Sequence, residues 1–199
     1  MLSLVSKGTR HVTLIMSGGS EDAKYSVSLG GQTVDDVGRG QHIKFVGLQP
    51  ATSYKVNVTM VPTVCKFIRI YNNNNDQPLS LAEVRAWNTY GKNAANPKNG
   101  ATATQSSTWY GGVASRAING NVNGSFGSGS VTHTAKGRGQ FWQVNIKPQV
   151  IRSVAIFNRT DCCSDRLRGA VLTLYTTDNE IFFEKPLTEE KVQQIFIPP

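Results

Sequence analysis

A chain of 199 residues suits one ordinary domain with a small second one, or a single large β domain. With 39% hydrophobic and 17% charged residues, 19 glycines and 8 prolines, its composition favours short strands and many turns over helices. The formal charge of +8 is scattered, without a Lys/Arg block, and no apolar run reaches the ~18 residues of a spanning helix, so neither nucleic-acid binding nor membrane insertion is expected.

The opening segment from Met1 to Lys7 is too short an apolar stretch for a secretory signal peptide. A processed chain, a fragment or export by another route is therefore expected. Val12, Leu14 and Met16 alternate with Thr13 and Ile15, and Tyr54, Val56, Val58 and Met60 alternate with Lys55, Asn57 and Thr59. Period-2 alternation of this kind marks half-buried strands. Gly18-Gly19-Ser20, Gly30-Gly31 and Gly38-Arg39-Gly40 read as turns between them. The run from Leu48 through Pro50 and Thr52 to Tyr54 and Val56 resembles a strand-start pattern of fibronectin type III domains. Residues 1–64 are thus expected to form a small immunoglobulin-like β domain, with Pro62 and Thr63 as a hinge.

Residues 65–199 hold fifteen Lys/Arg against nine Asp/Glu, and continue the strand pattern. Phe67 to Ile70 precedes a polar loop from Asn72 to Asp76. Further strands are expected at Leu79–Trp87, at Phe141–Ile146 with Trp142, Val144 and Ile146 on one face, and at Val154–Phe157. Ala170–Tyr175 and Ile181–Glu184 complete the set. Between Asn88 and Gln140 lies a long Gly/Asn/Ser/Thr stretch, and loops of that length in a compact domain carry function or bind an ion. Strands of this size and spacing fit an antiparallel sandwich or jelly roll. The fold class is all-β: a small sandwich-like domain, 1–64, followed by a larger jelly-roll sandwich, 65–199.

The three cysteines, Cys65, Cys162 and Cys163, form no CxxC pair and are too few for a disulfide scaffold. The adjacent pair belongs to the densest polar constellation, which runs from Asn158 through Arg159, Asp161, Cys162, Cys163 and Asp165 to Arg166. It directly follows an apolar strand, which puts it on a loop at one end of a sheet. Two readings stay open on residue types alone. Arg159 and Asp161 form a loop-fixing ion pair with Arg166 a surface cation, or the group is a polar site whose arginines point at a ligand.

The spacing Arg159-x-Asp161-x4-Arg166, with His133 upstream and 25 residues between His133 and Arg159, resembles the signature of the F-type lectins, a fucose-binding family with a discoidin-like sandwich. The blocks from Ala114 to Asn121, Gly129 to His133 and Phe141 to Asn145 match that family as well. The resemblance implies that His133, Arg159 and Arg166 donate hydrogen bonds to an L-fucose-like sugar. A guanidinium suits this task, since it offers several donors in a rigid fork. It implies that Asp161 orients Arg159, and that a disulfide between Cys162 and Cys163 gives the sugar an apolar face. A ring that small is normally easy to reduce, so an oxidising setting follows. Phe126 is the candidate aromatic wall, with Trp109 and Tyr110 as weaker candidates that are more readily explained as structural.

The resemblance also implies a structural calcium ion held by Arg116, Asn119, Asn121 and Ser130 with Ala82 and Glu83, since calcium takes six to eight oxygens, many from backbone carbonyls. Turn formation alone also explains these Asn and Gly residues. Three departures stand out. Asn119 replaces the family's usual aspartate, Ala82 and Val131 replace cysteines, and the Glu83 strand precedes the sugar motif instead of following it. The last implies an altered or circularly permuted strand order, which neighbouring termini make tolerable.

Function is expected to be non-catalytic attachment to fucosylated glycans, on an extracellular or virion surface. Single sugar sites bind weakly, so a homo-oligomer or larger assembly is expected. The alternative is a structural virion or cell-surface protein that uses the sandwich for protein contacts. An enzyme is not expected: Asp161 and Asp165 each neighbour an arginine that keeps them ionised, and His133 has no nucleophile beside it other than the paired cysteines. Three glycosylation sequons begin at Asn57, Asn123 and Asn158. A glycan on Asn158 would crowd the site, so Asn158 is expected to be unmodified.

Overall fold

A computed structural model describes residues 2–7, 11–17, 24–49, 52–72 and 76–198. The turn expected at Gly18-Gly19-Ser20, Pro50 of the fibronectin-like run, and the middle of the Asn72 to Asp76 loop lie outside the described residues. The chain divides into two compact units, Met1–Thr63 and Val64–Pro198. Both are all-β with antiparallel pairing throughout.

The first unit contains β1 (Leu2–Lys7), β2 (His11–Met16), β3 (Lys24–Leu29), β4 (Gln32–Val37), β5 (His42–Val46) and β6 (Asn57–Val61). They form two three-stranded sheets, β1-β2-β5 and β4-β3-β6. Leu14, Met16, Val27, Leu29, Ile43 and Phe45 make the core. The alternation read at Val12 to Met16 marks a true strand. The one read from Tyr54 to Met60 holds only in its second half: β6 begins at Asn57, and Tyr54 and Val56 pack against the core outside any strand. The Tyr54 hydroxyl accepts from the Gln49 amide at 2.7 Å.

The second unit contains β7 (Cys65–Asn72), β8 (Leu81–Asn88), β9 (Thr102–Gln105), β10 (Phe141–Gln149), β11 (Ile151–Asn158), β12 (Ala170–Tyr175), β13 (Ile181–Pro186) and β14 (Val192–Phe196). One sheet runs β13-β12-β7-β10-β9 and the other β14-β11-β8. Ile68, Ile70, Trp142, Val144, Leu172 and Leu174 from the five-stranded sheet share one core with Leu81, Val84, Val154 and Ile156 from the three-stranded sheet. Burial of each such side chain stabilises the sandwich by about 1.5–3 kcal/mol. Trp142 is fully buried and its indole N–H donates to the Ala114 carbonyl, so the ring brings no unpaired donor inside. Cys65 is buried and free, with its thiol pushed up to about 12 by desolvation, which makes it an inert core residue.

Strand pairing bears on the altered strand order. Cys65 lies opposite Gln149, and the Ile197 amide donates to Arg152. Both ends of the second unit therefore flank the β10–β11 turn. The long stretch between β8 and β10 holds only β9 and three short 3-10 turns, Pro97–Asn99, Ala114–Ile118 and Phe126–Ser128. Among the described residues no helix is long and apolar enough to cross a membrane.

Candidate functional site

The site is assembled from loops at one end of the sandwich. The segment carrying His133 is extended and clamped on both sides. Thr132 and Thr134 donate their amides to the carbonyls of Leu81 and Leu79 at 2.8 and 3.0 Å. Their hydroxyls accept from the same two residues' amides at 2.9 and 2.8 Å. Across the segment, the His133 amide donates to Gly112 and its carbonyl accepts from Trp109. Position 112 must be glycine for this approach, because a Cβ there would lie 2.5 Å from the His133 nitrogen. Ala82 and Val131, which stand where a cross-link was absent by sequence, are both fully buried on these two clasped segments. Threonine hydroxyls do the joining instead.

The second wall is the loop after β11. Asn158 is buried, and its side-chain amide donates to the carbonyls of Ser164 and Glu189 at 3.0 and 3.1 Å. That nitrogen is not accessible for glycan attachment in the folded chain. The Thr160 amide donates to Gly124, whose missing Cβ would sit 2.5 Å from the Thr160 hydroxyl. This contact docks the loop carrying Phe126 against the loop carrying Arg159. Arg159 is buried, and its Nε donates to Asp161 Oδ1 at 2.6 Å while Nη2 reaches Oδ2 at 3.3 Å. Asp161 also accepts from the backbone amides of Phe126 and Cys162 at 3.1 and 3.0 Å. The Arg159 hydrogen bond is the main cause holding the Asp161 carboxyl below the usual range.

His133, Arg159, Arg166, Phe126, Cys162 and Cys163 come together, with Tyr110, around one cavity of about 370 Å³. Cys162 and Cys163 are joined by a disulfide. Phe126 places its ring 4.9 Å from the Arg159 guanidinium and 5.4 Å from the imidazole. Arg166 Nη1 lies 3.3 Å from His133 Nε2, and His133 Nδ1 lies 2.7 Å from the Thr134 carbonyl. A carbonyl only accepts, so Nδ1 carries the proton and Nε2 offers a lone pair. Burial, followed by the nearby Arg166 and Arg159 charges, pulls the His133 pKa down and keeps the ring neutral. With Nδ1 bound to the Thr134 carbonyl, the pocket-facing Nε2 of the neutral ring is an acceptor, which differs from the donor role the resemblance implies. Desolvation, then Arg159, also lowers the Arg166 pKa.

Tyr110, a weaker candidate from sequence, stands 74% exposed and lines the cavity with its ring 5.8 Å from His133. Trp109 holds His133 through its backbone and is also exposed. Among the described residues four non-glycine positions have φ in the left-handed region, and two of them, Tyr110 and Cys163, line this cavity. Backbone conformations costing about 1–3 kcal/mol gather where a site demands them.

A second polar cluster adjoins the first. Glu83, on β8, is fully buried and accepts from the Gly120 amide at 3.1 and 3.2 Å. Arg85 Nε stands 3.6 Å away, too far for a good charge-assisted bond. Burial raises the Glu83 pKa, with Gly120 and Arg85 acting in the opposite direction. Asn119 Oδ1 accepts from the Asn121 amide, Asn121 Oδ1 from Asn123, and Ser130 Oγ donates to the carbonyls of Asn123 and Ser125. Arg116 anchors the loop by donating to the Val131 carbonyl. Among the described residues no three His, Cys, Asp or Glu side chains gather as metal ligands. A cation here would rest on one carboxylate with hydroxyl, amide and main-chain oxygens. A buried, under-compensated carboxylate in an oxygen-only setting fits a hard divalent ion.

The fold defines the class of the second unit as an antiparallel β-sandwich, and the chain is similar over part of its length to fucolectins. The chain is 47% identical over 58 residues to Fucolectin-6 of Anguilla japonica, covering 29% of this chain and 31% of that protein. It is 40% identical over 62 residues to a fucolectin of Anguilla anguilla, covering 31% and 39%. A pentraxin fusion protein of Xenopus laevis is 35% identical over 68 residues, covering 34% and 16%. The chain thus spans less than half the length of these relatives. No family model and no solved structure matches the chain. The likenesses support a carbohydrate-binding lectin module and do not address the family of the first unit.

Proposed function

We propose that the second unit binds fucose-type sugars without catalysis, as an attachment or recognition module. The observation carrying this reading is the convergence of His133, Arg159 and Arg166 with the Cys162–Cys163 disulfide on one cavity. Arg159 and Arg166 donate to sugar oxygens, and His133 Nε2 accepts a hydroxyl hydrogen. A vicinal hydroxyl pair meets one acceptor flanked by two donors, a pattern that a single flat apolar pocket cannot offer. The disulfide and the Phe126 ring supply the dry surfaces for the methyl and C–H faces. Asp161 positions Arg159. Asp161, held ionised by Arg159, is suited to positioning and not to acid catalysis.

Calcium belongs to this reading as a structural ion. The carboxylate of Glu83, the Ser130 and Asn side-chain oxygens, and the main-chain carbonyls of Ala82, Arg116 and Asn121 would hold it. Bound there, it supplies compensating charge for Glu83 and stiffens the loop leading to Phe126. Multivalent display on a cell or virion surface, as a homo-oligomer or within a larger assembly, follows from the weakness of single sugar sites. A glycan array tests the reading. Wild type should bind fucosylated glycans, and Arg159→Ala and Arg166→Ala should each abolish binding. Absence of binding to every glycan would transfer the domain to the scaffold role.

A further inference from the structure

The outer face of the five-stranded sheet carries a second cluster that shares no residue with the pocket above. Along β7, Ile68 and Ile70 point into the core, leaving Phe67, Arg69 and Tyr71 on the opposite face. Register places Phe141 opposite Tyr71, Gln143 opposite Arg69, and Tyr175 opposite Phe67. The result is a guanidinium inside an aromatic box. The Arg69 carbon lies 4.7 Å from the Phe141 ring centre, 5.5 Å from Tyr175 and 5.7 Å from Phe67. Phe67 and Tyr175 are stacked at 4.2 Å, which fixes that wall. Arg69, Tyr71, Gly139, Phe141 and Tyr175 line an open depression of about 250 Å³.

The hydrogen bonding of Arg69 is one-sided. Nε and Nη2 both donate to Gln143 Oε1, at 3.0 and 2.7 Å. The remaining Nη1 and Nη2 hydrogens, at the end of the fork, have no acceptor, and no carboxylate pairs with this arginine among the described residues. An open guanidinium end matches the two oxygens of an oxyanion. Gln143 holds the plane in place, which lowers the ordering cost of a bound partner. Glu184 is the acid on this face, but it is engaged by Tyr71 and Thr173 across β12. Its repulsion steers an anion toward the Phe141 and Gly139 side. Aromatic walls there present electron-rich faces to the C–H groups of a sugar ring. The depression is smaller than the ~300–1,000 Å³ of drug-sized sites, a size that suits one sugar residue.

We propose that this face is a second saccharide site, selective for acidic sugars, with Arg69 taking the carboxylate or sulfate and Phe141, Tyr71 and Tyr175 flanking the ring. The proposal stands independently of the fucose-type reading, and it gives the module a way to read a glycan carrying both a neutral and an acidic residue. NMR titration of the intact chain tests it, with 3′-sialyllactose, a hyaluronan tetrasaccharide, a chondroitin 4-sulfate disaccharide and lactose as the uncharged control. At least one acidic saccharide should shift Arg69, Tyr71, Phe141 and Tyr175, while lactose leaves them in place. Comparison of the carboxylated and sulfated arms identifies the oxyanion. Binding should weaken as salt rises, and Arg69→Met should weaken it at least tenfold while keeping a dispersed spectrum. No shift at these residues with any acidic saccharide, equal shifts with lactose, or unchanged binding in folded Arg69→Met would overturn the site. The wild-type and salt series decide the matter even where Arg69→Met does not fold.

Discussion

The second unit holds two buried charges in different ways. Arg159 finds its partner two residues away in Asp161, at 2.6 Å, and the pair sits on one short loop. Glu83 is met by the Gly120 and Asn119 backbone amides, 37 and 36 residues along the chain, and by an arginine 3.6 Å off. One is a closed local pair, with a further guanidinium, Arg166, beside it against His133 on the same cavity. The other is a carboxylate that burial has left short of positive charge. The contrast teaches that a buried charge can be answered within one short loop or left to backbone amides from a distant one, and under the proposed function the second arrangement is the one that a cation would complete.

The largest expected effect tests the second half of that contrast. Calcium at a hundredfold excess over its dissociation constant should add about 2.7 kcal/mol to stability, raising the melting midpoint by several degrees in differential scanning calorimetry. Glu83→Gln should remove the calcium response altogether. A wild-type midpoint indifferent to calcium would return Glu83 to a purely structural role. Next comes Gly112→Ala, whose Cβ would press on the His133 and Thr132 backbones. Overpacking of this kind costs about 1–3 kcal/mol, visible as a lower denaturation midpoint together with weaker fucose binding. Asp161→Asn should cost less, about tenfold in fucose affinity by calorimetry, because it loosens Arg159 without removing it.

The smallest effect is on pH. Neutral His133 is the binding form, and its folded pKa lies below 6.5. Affinity should be flat from about pH 8 to 6.5 and fall only below, as a proton is forced between two guanidiniums. Stability follows the same direction. The unfolded chain takes up this proton first, so the fold loses stability as pH drops below 6.5 until the folded ring also protonates. An affinity that rises on acidification would reverse the assignment of Nε2 as an acceptor.

The sandwich was legible because apolar residues recur with period two along strands such as β10. Trp142, Val144 and Ile146 were placed on one face by period alone, and all three are buried. The Arg159 loop was legible because its elements are close in sequence and rare in combination. Three features were not. Tyr54 lies before the start of β6 and its hydroxyl is taken by the Gln49 amide, which period-2 reading cannot see. The role of Tyr110 depends on a left-handed backbone that places it at the rim. The acceptor character of His133 is set by the Thr134 carbonyl, a matter of side-chain geometry. One signal was present in the letters: the threonines flanking His133 alternate in a way that fits the clasp onto Leu79 and Leu81.

Amide NMR during an L-fucose titration tests the sugar pocket most directly. The arrangement predicts saturable shifts centred on Phe126, His133, Cys162, Cys163 and Arg166, lost when Arg166 is replaced by alanine. No response at those amides, or a response confined to other parts of the chain, would contradict it.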